Sequence, residues 1–245
     1  MNLSANTILI TGGATGIGLA LAERFLAAGS EVIVCGRREE ALAEARSRHP
    51  GLHTRVCDVA DPDQRADLAA WATSAFPKLN VLINNAGVQQ RIDLKTDPSW
   101  ETLGREIAIN LEGPVHLATL FIPHLLEQEQ PAIINVTSGL AFVPLANVPV
   151  YSATKAALRS FTLSLRHQLD DTPITVIELI PPAVDTDLGG KGLHTFGAPL
   201  DTFADAIVEQ LAAGSLEPAY GFALQARTAS RDDLDVLFQR LNTTR

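Results

Sequence analysis

The 245-residue sequence contains little cysteine and no excess of basic charge. Its two cysteines, Cys35 and Cys57, each lie in a short apolar run, where a thiol behaves as a small buried side chain. No histidine pair accompanies them, so the sequence predicts neither a disulfide nor a metal site. The formal net charge of −9 disfavours a nucleic-acid partner, because phosphates select clustered Lys and Arg.

Long hydrophobic runs are also missing from the sequence. No segment approaches the roughly 20 consecutive apolar residues of a membrane-spanning helix, so we expect no membrane partner. Residues 1–13 lack the basic region, apolar stretch and small-residue cleavage site of a secretory signal, which predicts a cytoplasmic protein. Linkers rich in Pro, Gly or Ser and internal repeats are missing too, so residues 1–245 are expected to form one domain.

Short apolar runs alternate along the chain with longer segments of helical spacing. The runs with strand character are residues 7–11, 31–36, 53–58, 81–85, 132–138 and 174–180. Apolar strands separated by amphipathic helices predict an α/β fold with a doubly wound parallel sheet and helices on both faces. Residues 186–199 contain four glycines without periodicity and are predicted to form a mobile lid.

A glycine pattern, TGGATGIG, follows the first predicted strand directly. Gly12, Gly16 and Gly18 permit a tight turn in which backbone N–H groups and a helix N-terminus face a pyrophosphate. The spacing is Gly-x-x-x-Gly-x-Gly. Its position after the first strand favours dinucleotide binding over a plain turn.

The second predicted strand ends in Gly36, Arg37 and Arg38, where a protein that binds NAD often carries a carboxylate for the adenosine ribose. Guanidinium groups bind a 2′-phosphate instead, so the sequence favours NADP over NAD. The alternative is that both arginines open a solvated helix and pair with its glutamates. Asp58, after the third predicted strand, either accepts a hydrogen bond from the adenine amine or caps the helix that begins near Asp61.

Tyr151 and Lys155 lie four residues apart at the start of a predicted helix, in the stretch PVYSATKAAL. This spacing places both side chains on one helical face, where an ammonium favours the ionised form of a phenol. A phenol with a pKa of about 10 needs roughly 4 kcal/mol of differential stabilisation to titrate near pH 7. One lysine and a cationic cofactor can supply it. The pair alone is a weak signal, since a solvated helix carries this spacing by chance.

Five motifs occur together in one order: the glycine pattern, NNAG at 84–87, Asn110, Ser138, and YSATK at 151–155. Together they resemble the short-chain dehydrogenase/reductase family over residues 6 to about 187. The resemblance implies a Rossmann-type single domain, a nicotinamide cofactor, and hydride transfer between a carbonyl compound and a secondary alcohol without a metal.

The resemblance also implies roles for individual residues. Tyr151 would be the general acid/base, and Lys155 would lower its pKa and hold the nicotinamide ribose. Ser138 would bind the substrate oxygen, and Asn110 would anchor a water beside Lys155. The cofactor would contact Gly12, Thr15, Gly16, Ile17, Gly18, Arg37, Arg38, Asp58, Val59, Asn85, Ala86, Gly87, Tyr151, Lys155, Val184 and Thr186. The alternatives are an ordinary turn at Ser138, an Asn110 that satisfies buried backbone groups, and a structural role for residues 84–87.

Five apolar residues would border the reacting carbon by family position: Leu140, Phe142, Val148, Pro182 and Leu188. An apolar pocket suits a ketone or secondary alcohol with a hydrophobic or ring portion. Pro182 stands where relatives commonly have glycine, and it removes an N–H and stiffens the loop beside the nicotinamide. Residues 89–91 and His194 are either substrate contacts or exposed loop residues.

The leading hypothesis is an NADP-preferring oxidoreductase. The alternatives are a non-catalytic dinucleotide-binding sensor or scaffold, which usually loses the tyrosine or lysine that this chain keeps, and an NAD-dependent alcohol dehydrogenase of the same fold. Nucleotide-sugar epimerases and dehydratases need a longer C-terminal domain. The C-terminal segment departs from the family, with a helix predicted from about residue 231. We therefore expect a homodimer through helices around 98–127 and 150–169, with a homotetramer as the alternative.

Overall fold

Six parallel strands lie in the order β3-β2-β1-β4-β5-β6 in a computed structural model that describes residues 1–243. They are β1 (Thr7–Thr11), β2 (Glu31–Gly36), β3 (Leu52–Val56), β4 (Val81–Asn84), β5 (Ala132–Val136) and β6 (Thr175–Leu179). This order is that of a Rossmann-type doubly wound sheet, so the predicted fold class is confirmed. Residues 57–58 and 137–138, predicted as strand ends, instead begin loops at the carboxyl edge of the sheet.

The central strands form from short segments whose residues are mostly apolar on both faces of the strand. Every residue of β1, β4 and β5 is buried, because helices cover both faces of the sheet. Cys35 of β2 and Cys57, just after β3, are free thiols inside this apolar layer, as their sequence context predicts.

Helices pack on both faces of the sheet and enclose one apolar core on each face. They are α1 (Gly16–Ala27), α2 (Glu39–Arg48), α3 (Pro62–Ala75), α4 (Trp100–Ile107), α5 (Gly113–Leu125), α6 (Pro149–Gln168), α7 (Leu200–Ala212), α8 (Gly221–Thr228) and α9 (Arg231–Thr243). Phe25 and Phe203 are fully buried in one core, and Phe121 is fully buried in the other. Full burial of each ring contributes about 1.5–3 kcal/mol. No helix within residues 1–243 combines the length and the apolar character that a membrane span requires.

The start of α3 shows how local sequence sets a helix boundary. The Asp61 carboxylate accepts the N–H groups of Asp63 and Gln64, and Pro62 occupies the first helical position. Asp61 is therefore the cap of α3, and the alternative that gave this role to Asp58 is wrong.

Residues Ala108–Glu112 form a π-helical segment that joins α4 to α5. Asn110 lies at its centre and is fully buried. A π turn interrupts the regular helical hydrogen bonds and is found frequently at functional sites. The interruption here coincides with a residue predicted to be functional.

A buried amide ladder connects β4, β5 and α6. Asn84 Nδ2 donates to Asn135 Oδ1 at 2.9 Å, and Asn135 Nδ2 donates to Thr162 Oγ1 at 3.0 Å. The Thr162 hydroxyl in turn donates to Leu158 O at 2.7 Å. Buried polar groups are stable only when hydrogen-bonded, so this ladder ties the helix that carries Tyr151 to two central strands.

The C-terminal segment covers the outer edge of β6. Leu216 O accepts the Glu178 N–H and Pro218 O accepts the Ile180 N–H, each at 2.9 Å, so the edge strand does not expose all its hydrogen-bonding groups. α9 begins at Arg231, as the sequence predicts. α8 was not predicted, because its eight residues are too few to show a clear period.

Candidate active site

The predicted site residues meet at the carboxyl edge of the sheet. Gly12 follows β1, Asn85 follows β4, Ser138 follows β5 and Pro182 follows β6. The strand order reverses between β1 and β4, and open α/β sheets bind ligands in the crevice at such a switch point. Residues far apart in the sequence therefore surround one crevice.

Close backbone packing explains the glycines between β1 and α1. Gly12 has a φ of +64°, and a Cβ on it would lie 2.8 Å from Ala86 Cα. A Cβ on Gly18 would lie 2.4 Å from Asn85 Nδ2 and 2.6 Å from Gly12 O. A larger residue at either position would displace the turn. The turn, followed directly by the N-terminus of α1, is a cradle of backbone that fits a pyrophosphate.

Asn85 ties this cradle to the end of β4. Its Nδ2 donates to Thr11 O at 2.8 Å and to Gly12 O at 3.1 Å. Thr11 Oγ1 accepts the N–H groups of Asn85 and Ala86, each at 3.0 Å. These bonds support a structural role for residues 84–87. Sequence reasoning missed Thr11, since a hydroxyl at the end of an apolar strand carries no distinctive pattern.

The two arginines after β2 lie beside the cradle. Arg38 Nη2 donates to Thr15 Oγ1 at 3.4 Å, and both Arg37 and Arg38 are exposed. Neither arginine forms an ion pair within residues 1–243, and Glu44 of α2 pairs with Arg48 at 3.8 Å. Pairing with the glutamates of α2 is therefore not observed, and both guanidinium groups face solvent next to the first turn of α1.

Asp58 is held by groups that sequence reasoning did not connect to it. Its carboxylate accepts the Ala60 N–H at 3.0 Å and pairs with Arg105 of α4 at 2.5 Å. Burial alone raises the pKa of Asp58, but the Ala60 N–H and the charges of Arg105 and Arg37 outweigh burial and lower it. Asp58 is therefore a carboxylate at neutral pH, and its pairing with Arg105 ties α4 to the loop after β3.

Ser138 and Tyr151 lie on the same crevice, close enough for the Ser138 side chain to act on the pKa of the phenol. Ser138 Oγ accepts the Leu140 N–H at 3.1 Å, so its own hydrogen is left to donate. Ser138 therefore caps the short turn after β5, as the alternative interpretation predicts, and its contact with the substrate oxygen stays a prediction. Tyr151 is 6% exposed. Burial raises the pKa of Tyr151 to about 12, the Ser138 hydrogen bond opposes this rise, and the Glu106 charge adds to it.

Lys155 lies under Tyr151 on the same face of α6. Its Nζ is 5.6 Å from the centre of the Tyr151 ring and donates to Val136 O at 2.7 Å. Burial lowers the pKa of Lys155 to about 8, while the Glu106 charge acts to raise it. The sequence predicts a lowered pKa for Tyr151, whereas in the protein by itself burial prevails and Tyr151 holds its proton. Glu106 was missed because a glutamate in a helix usually indicates a solvated face.

Asn110 uses its amide to hold the chain after β4. Its Oδ1 accepts the Val88 N–H at 2.9 Å, and its Nδ2 donates to Val88 O at 2.8 Å and to Thr154 Oγ1 at 3.3 Å. Asn110 therefore satisfies the backbone groups of Val88, as predicted by the alternative to its water-binding role. The predicted water beside Lys155 stays a prediction.

Residues 186–199 form turns that touch both halves of the crevice. Thr186 Cγ2 would be 3.5 Å from a Cβ on Gly16, and a Cβ on Gly189 would be 2.8 Å from Gln89 O. Thr186 therefore faces the cofactor cradle, and the following glycine lies against the loop after β4. Burial lowers the pKa of His194 in the same segment, so its imidazole is neutral at pH 7.

The five predicted pocket residues do not share one environment. The Arg159 guanidinium lies over the Phe142 ring, with its Cζ 4.2 Å from the ring centre, and the ring packs against residues of α8 and α9. Leu140 lines a cavity of about 300 Å³ together with residues of the outer face of α6. Val148 is buried at the start of α6, whereas Pro182 and Leu188 are half-buried beside the crevice.

The chain was compared with known proteins. A family model described as short chain dehydrogenase matches residues 6–194. The uncharacterized oxidoreductase DltE of Bacillus subtilis (strain 168) is 50% identical over 249 residues, which cover 99% of this chain and 99% of the relative. Sulfoacetaldehyde reductase 2 of Chromohalobacter salexigens is 34% identical over 193 residues, covering 75% of this chain and 74% of the relative.

A solved structure shows the same likeness. The short chain dehydrogenase from Burkholderia cenocepacia J2315 in complex with NADP is 27% identical, and the alignment covers 98% of this chain and 99% of that chain with a TM-score of 0.85. The family match spans the cradle, the Ser138–Tyr151–Lys155 cluster and part of the turn segment. The chain belongs to the short-chain dehydrogenase family and is an oxidoreductase.

Proposed function

We propose that the protein is an NADP-preferring oxidoreductase that transfers a hydride between the nicotinamide and a ketone or secondary alcohol with an apolar or ring portion. The cluster of Ser138, Tyr151 and Lys155 beside the glycine cradle carries this proposal. It combines a proton donor, an oxygen-binding hydroxyl and a buried cation within one crevice. The relative that reduces sulfoacetaldehyde, by its name, acts on a carbonyl group.

The residues around the crevice fit a dinucleotide. The cradle of Gly12, Gly16 and Gly18 would hold the pyrophosphate, Arg37 and Arg38 the adenosine end, and Val184 and Thr186 the nicotinamide end. Ile17, Asp58, Val59 and residues 85–87 complete the proposed contacts. When bound, the nicotinamide supplies or accepts the hydride.

The protein supplies the proton for reduction. Tyr151 is protonated at neutral pH and donates its proton to the substrate oxygen, while the Ser138 O–H donates a hydrogen bond to the same oxygen. The nearby Lys155 ammonium stabilises the phenolate that remains. Asn110 Oδ1 and Lys155 Nζ both border Gly87, and the proposed water beside Lys155 would lie in this part of the site.

A titration of the purified protein tests this proposal. Nicotinamide fluorescence is followed with NADPH and NADH side by side, and a panel of ketones is then added. Tight NADPH binding with oxidation on a ketone supports the reductase. Tighter binding of NADH favours the NAD-dependent alcohol dehydrogenase, and binding without turnover on any ketone favours the sensor.

The arginines after β2 allow a sharper test of NADP preference. We expect Arg37→Ala and Arg38→Ala each to weaken NADPH binding by about tenfold to a hundredfold, because a charge-assisted bond to the 2′-phosphate is lost. NADH binding should change little. Arg46→Ala, at an exposed arginine of α2, is the control and should affect neither cofactor. Equal losses for NADPH and NADH would contradict the 2′-phosphate argument.

We also propose that the enzyme is cytoplasmic and that residues 186–199 are its lid.

The enzyme is further proposed to be a homodimer. An apolar cavity of about 370 Å³ opens between α4, the π segment and α6, lined by Ile107, Leu111, Pro149, Val150, Ala153, Thr154 and Ala157. Its apolar lining suits a second copy of this face. Sedimentation velocity should give the mass of two chains, and replacement of Val150 by aspartate should shift it to one. A wild-type monomer or tetramer would contradict the dimer.

A further inference from the structure

Four acidic or basic side chains are deeply buried in the described part of the chain: Arg65 at 4% exposure, Glu106 at 0%, Lys155 at 3% and Glu178 at 0%. Glu178 forms an ion pair with Arg159, and Arg65 donates to a histidine and to a backbone carbonyl. Glu106 and Lys155 form no ion pair within residues 1–243. Because an isolated buried charge is costly, each of these two side chains needs a nearby opposite charge.

Only one of the two side-chain oxygens of Glu106 accepts a hydrogen bond from the described part of the chain. Glu106 lies at the end of α4, four residues before Asn110, and both side chains hold the chain after β4. Glu106 Oε1 accepts the Gln90 N–H at 3.2 Å, as Asn110 Oδ1 accepts the Val88 N–H at 2.9 Å. Oε2 is buried and has no hydrogen-bond partner among the described residues. One oxygen of the buried carboxyl group is therefore left without a hydrogen bond within residues 1–243.

Lys155 also borders the chain that follows β4, at Gly87. Its Nζ and Asn110 Oδ1 flank Gly87, and α6 packs directly on α4. Burial lowers the pKa of Lys155 to about 8, and the Glu106 charge opposes that change. Burial raises the pKa of Glu106 to about 7, while the Gln90 N–H and the Lys155 charge oppose that rise. Each group thus favours the charged form of the other.

We propose that Glu106 is the counter-ion of Lys155, a positioning residue that keeps this ammonium charged through the space between α4 and α6. The inference rests on the proposed role of Lys155 in the reaction. The other ionisable or charged groups on the elements around Glu106 are Tyr151 on α6, Glu101 and Arg105 on α4, Arg91 after β4, and Glu112 in the π segment. Arg105 is engaged by Asp58, and Glu101 and Arg91 are exposed.

The scarcity of lysine makes a direct test practical. The chain has four lysines, Lys78, Lys95, Lys155 and Lys191, so a spectrum of protein labelled with ¹³C at the lysine ε carbon is simple, and Lys155→Met assigns the signal of interest. The titration needs neither cofactor nor substrate. Failure of the proposed reaction and failure of this inference are therefore distinguishable.

We expect the Lys155 signal to titrate near pH 8 in the wild-type protein. Glu106→Gln keeps an oxygen for the Gln90 N–H but removes the charge, and should lower the midpoint by about one pH unit, a tenfold change in the acid constant. Glu106→Asp should recover part of the shift, and Glu101→Gln on the same helix should cause none. An unchanged midpoint in Glu106→Gln would overturn the proposal and leave Glu106 as a support for residue 90.

A reciprocal measurement applies if Glu106→Gln does not fold. Linkage requires that Lys155 acts on Glu106 as strongly as Glu106 acts on Lys155. With ¹³C at the glutamate carboxyl carbon, the pKa of Glu106 should be higher in Lys155→Met than in the wild-type protein. The absence of a rise would refute the counter-ion assignment. For active wild-type and Glu106→Gln protein, the alkaline limb of kcat for carbonyl reduction should move to lower pH in the variant.

Discussion

Tyr151→Phe lowers kcat by at least about a hundredfold and leaves NADPH bound, if Tyr151 is the proton donor. General acid catalysis of this kind contributes about 10²- to 10⁴-fold to rate. The change removes one oxygen from a ring that is 6% exposed, so packing on α6 is kept while the donor is lost. Ser138 Oγ stays fixed by the Leu140 N–H in the variant.

The measurement is single-turnover oxidation of NADPH by a ketone, next to a fluorescence titration of the cofactor. Tyr220→Phe is the matched control, because Tyr220 is the only other tyrosine and its ring packs edge-on against Phe203 at 6.2 Å. This variant should turn over normally. Retained turnover in Tyr151→Phe would remove its acid/base role, and loss of NADPH binding would show that the hydroxyl group serves cofactor binding or the structure of the site.

Arg159→Met should cause the largest loss of stability among single charge removals near the site. Arg159 is the ion-pair partner of Glu178, whose side chain has no exposed surface. Removal of one partner leaves an uncompensated buried carboxylate, which costs about 3 kcal/mol or more. For a chain of this size that corresponds to a fall in Tm of roughly 6–12 °C. Thr137, beside Ser138, donates to the same carboxylate at 2.7 Å, so the site loosens as well.

The loss should depend on pH with a defined sign. Burial raises the pKa of Glu178, and the Thr137 hydrogen bond and the Arg159 charge oppose the rise. Without Arg159 the pKa rises further. Below the pKa that Glu178 has in the folded wild-type protein, which burial has already raised, the carboxyl group is neutral in both proteins and the substitution costs little. The penalty grows as pH rises through that pKa.

Thermal unfolding of four proteins checks this account. Arg159→Met should be much less stable than wild type at pH 7, and Arg159→Met combined with Glu178→Gln should regain most of the loss because no charge is left buried. Arg166→Met is the control, since Arg166 is equally exposed at 24% but its partner Glu217 also pairs with Arg227. A double variant as unstable as Arg159→Met would assign the loss to packing against Phe142.

The strands and the glycine cradle follow directly from sequence. Parallel strands that are buried on both faces appear in the sequence as unbroken apolar runs. The backbone after β1 packs too closely to admit a Cβ at Gly12 or Gly18, so this steric requirement is visible in the sequence as a glycine pattern. Helical spacing places Tyr151 and Lys155 on one face, but their roles were predicted only from the joint resemblance of five motifs to the family.

The charged partners of the site were not predictable in the same way. Arg105 meets Asp58 across 47 residues of sequence, and Arg159 meets Glu178 only because α6 crosses β6. Glu106 is the hardest case, since nothing in its local sequence separates a fully buried glutamate from a solvated one. Tertiary packing decides burial, and burial raises the pKa of Tyr151 in the protein without cofactor. The lower pKa expected from Lys155 and a cationic cofactor together stays a prediction.

The amide ladder of Asn84, Asn135 and Thr162 limits how this protein can change over evolution. A slip of one residue between β4, β5 and α6 would strand buried amides, at about 1–3 kcal/mol for each unsatisfied group. Tyr151 stays in register with the sheet for this reason. The turns at 139–148 and 186–199 make no hydrogen bond to the ladder, so substitutions there leave it intact. Proteins with this fold can therefore change their substrate through substitutions in those turns while Tyr151, the proposed proton donor, keeps its position.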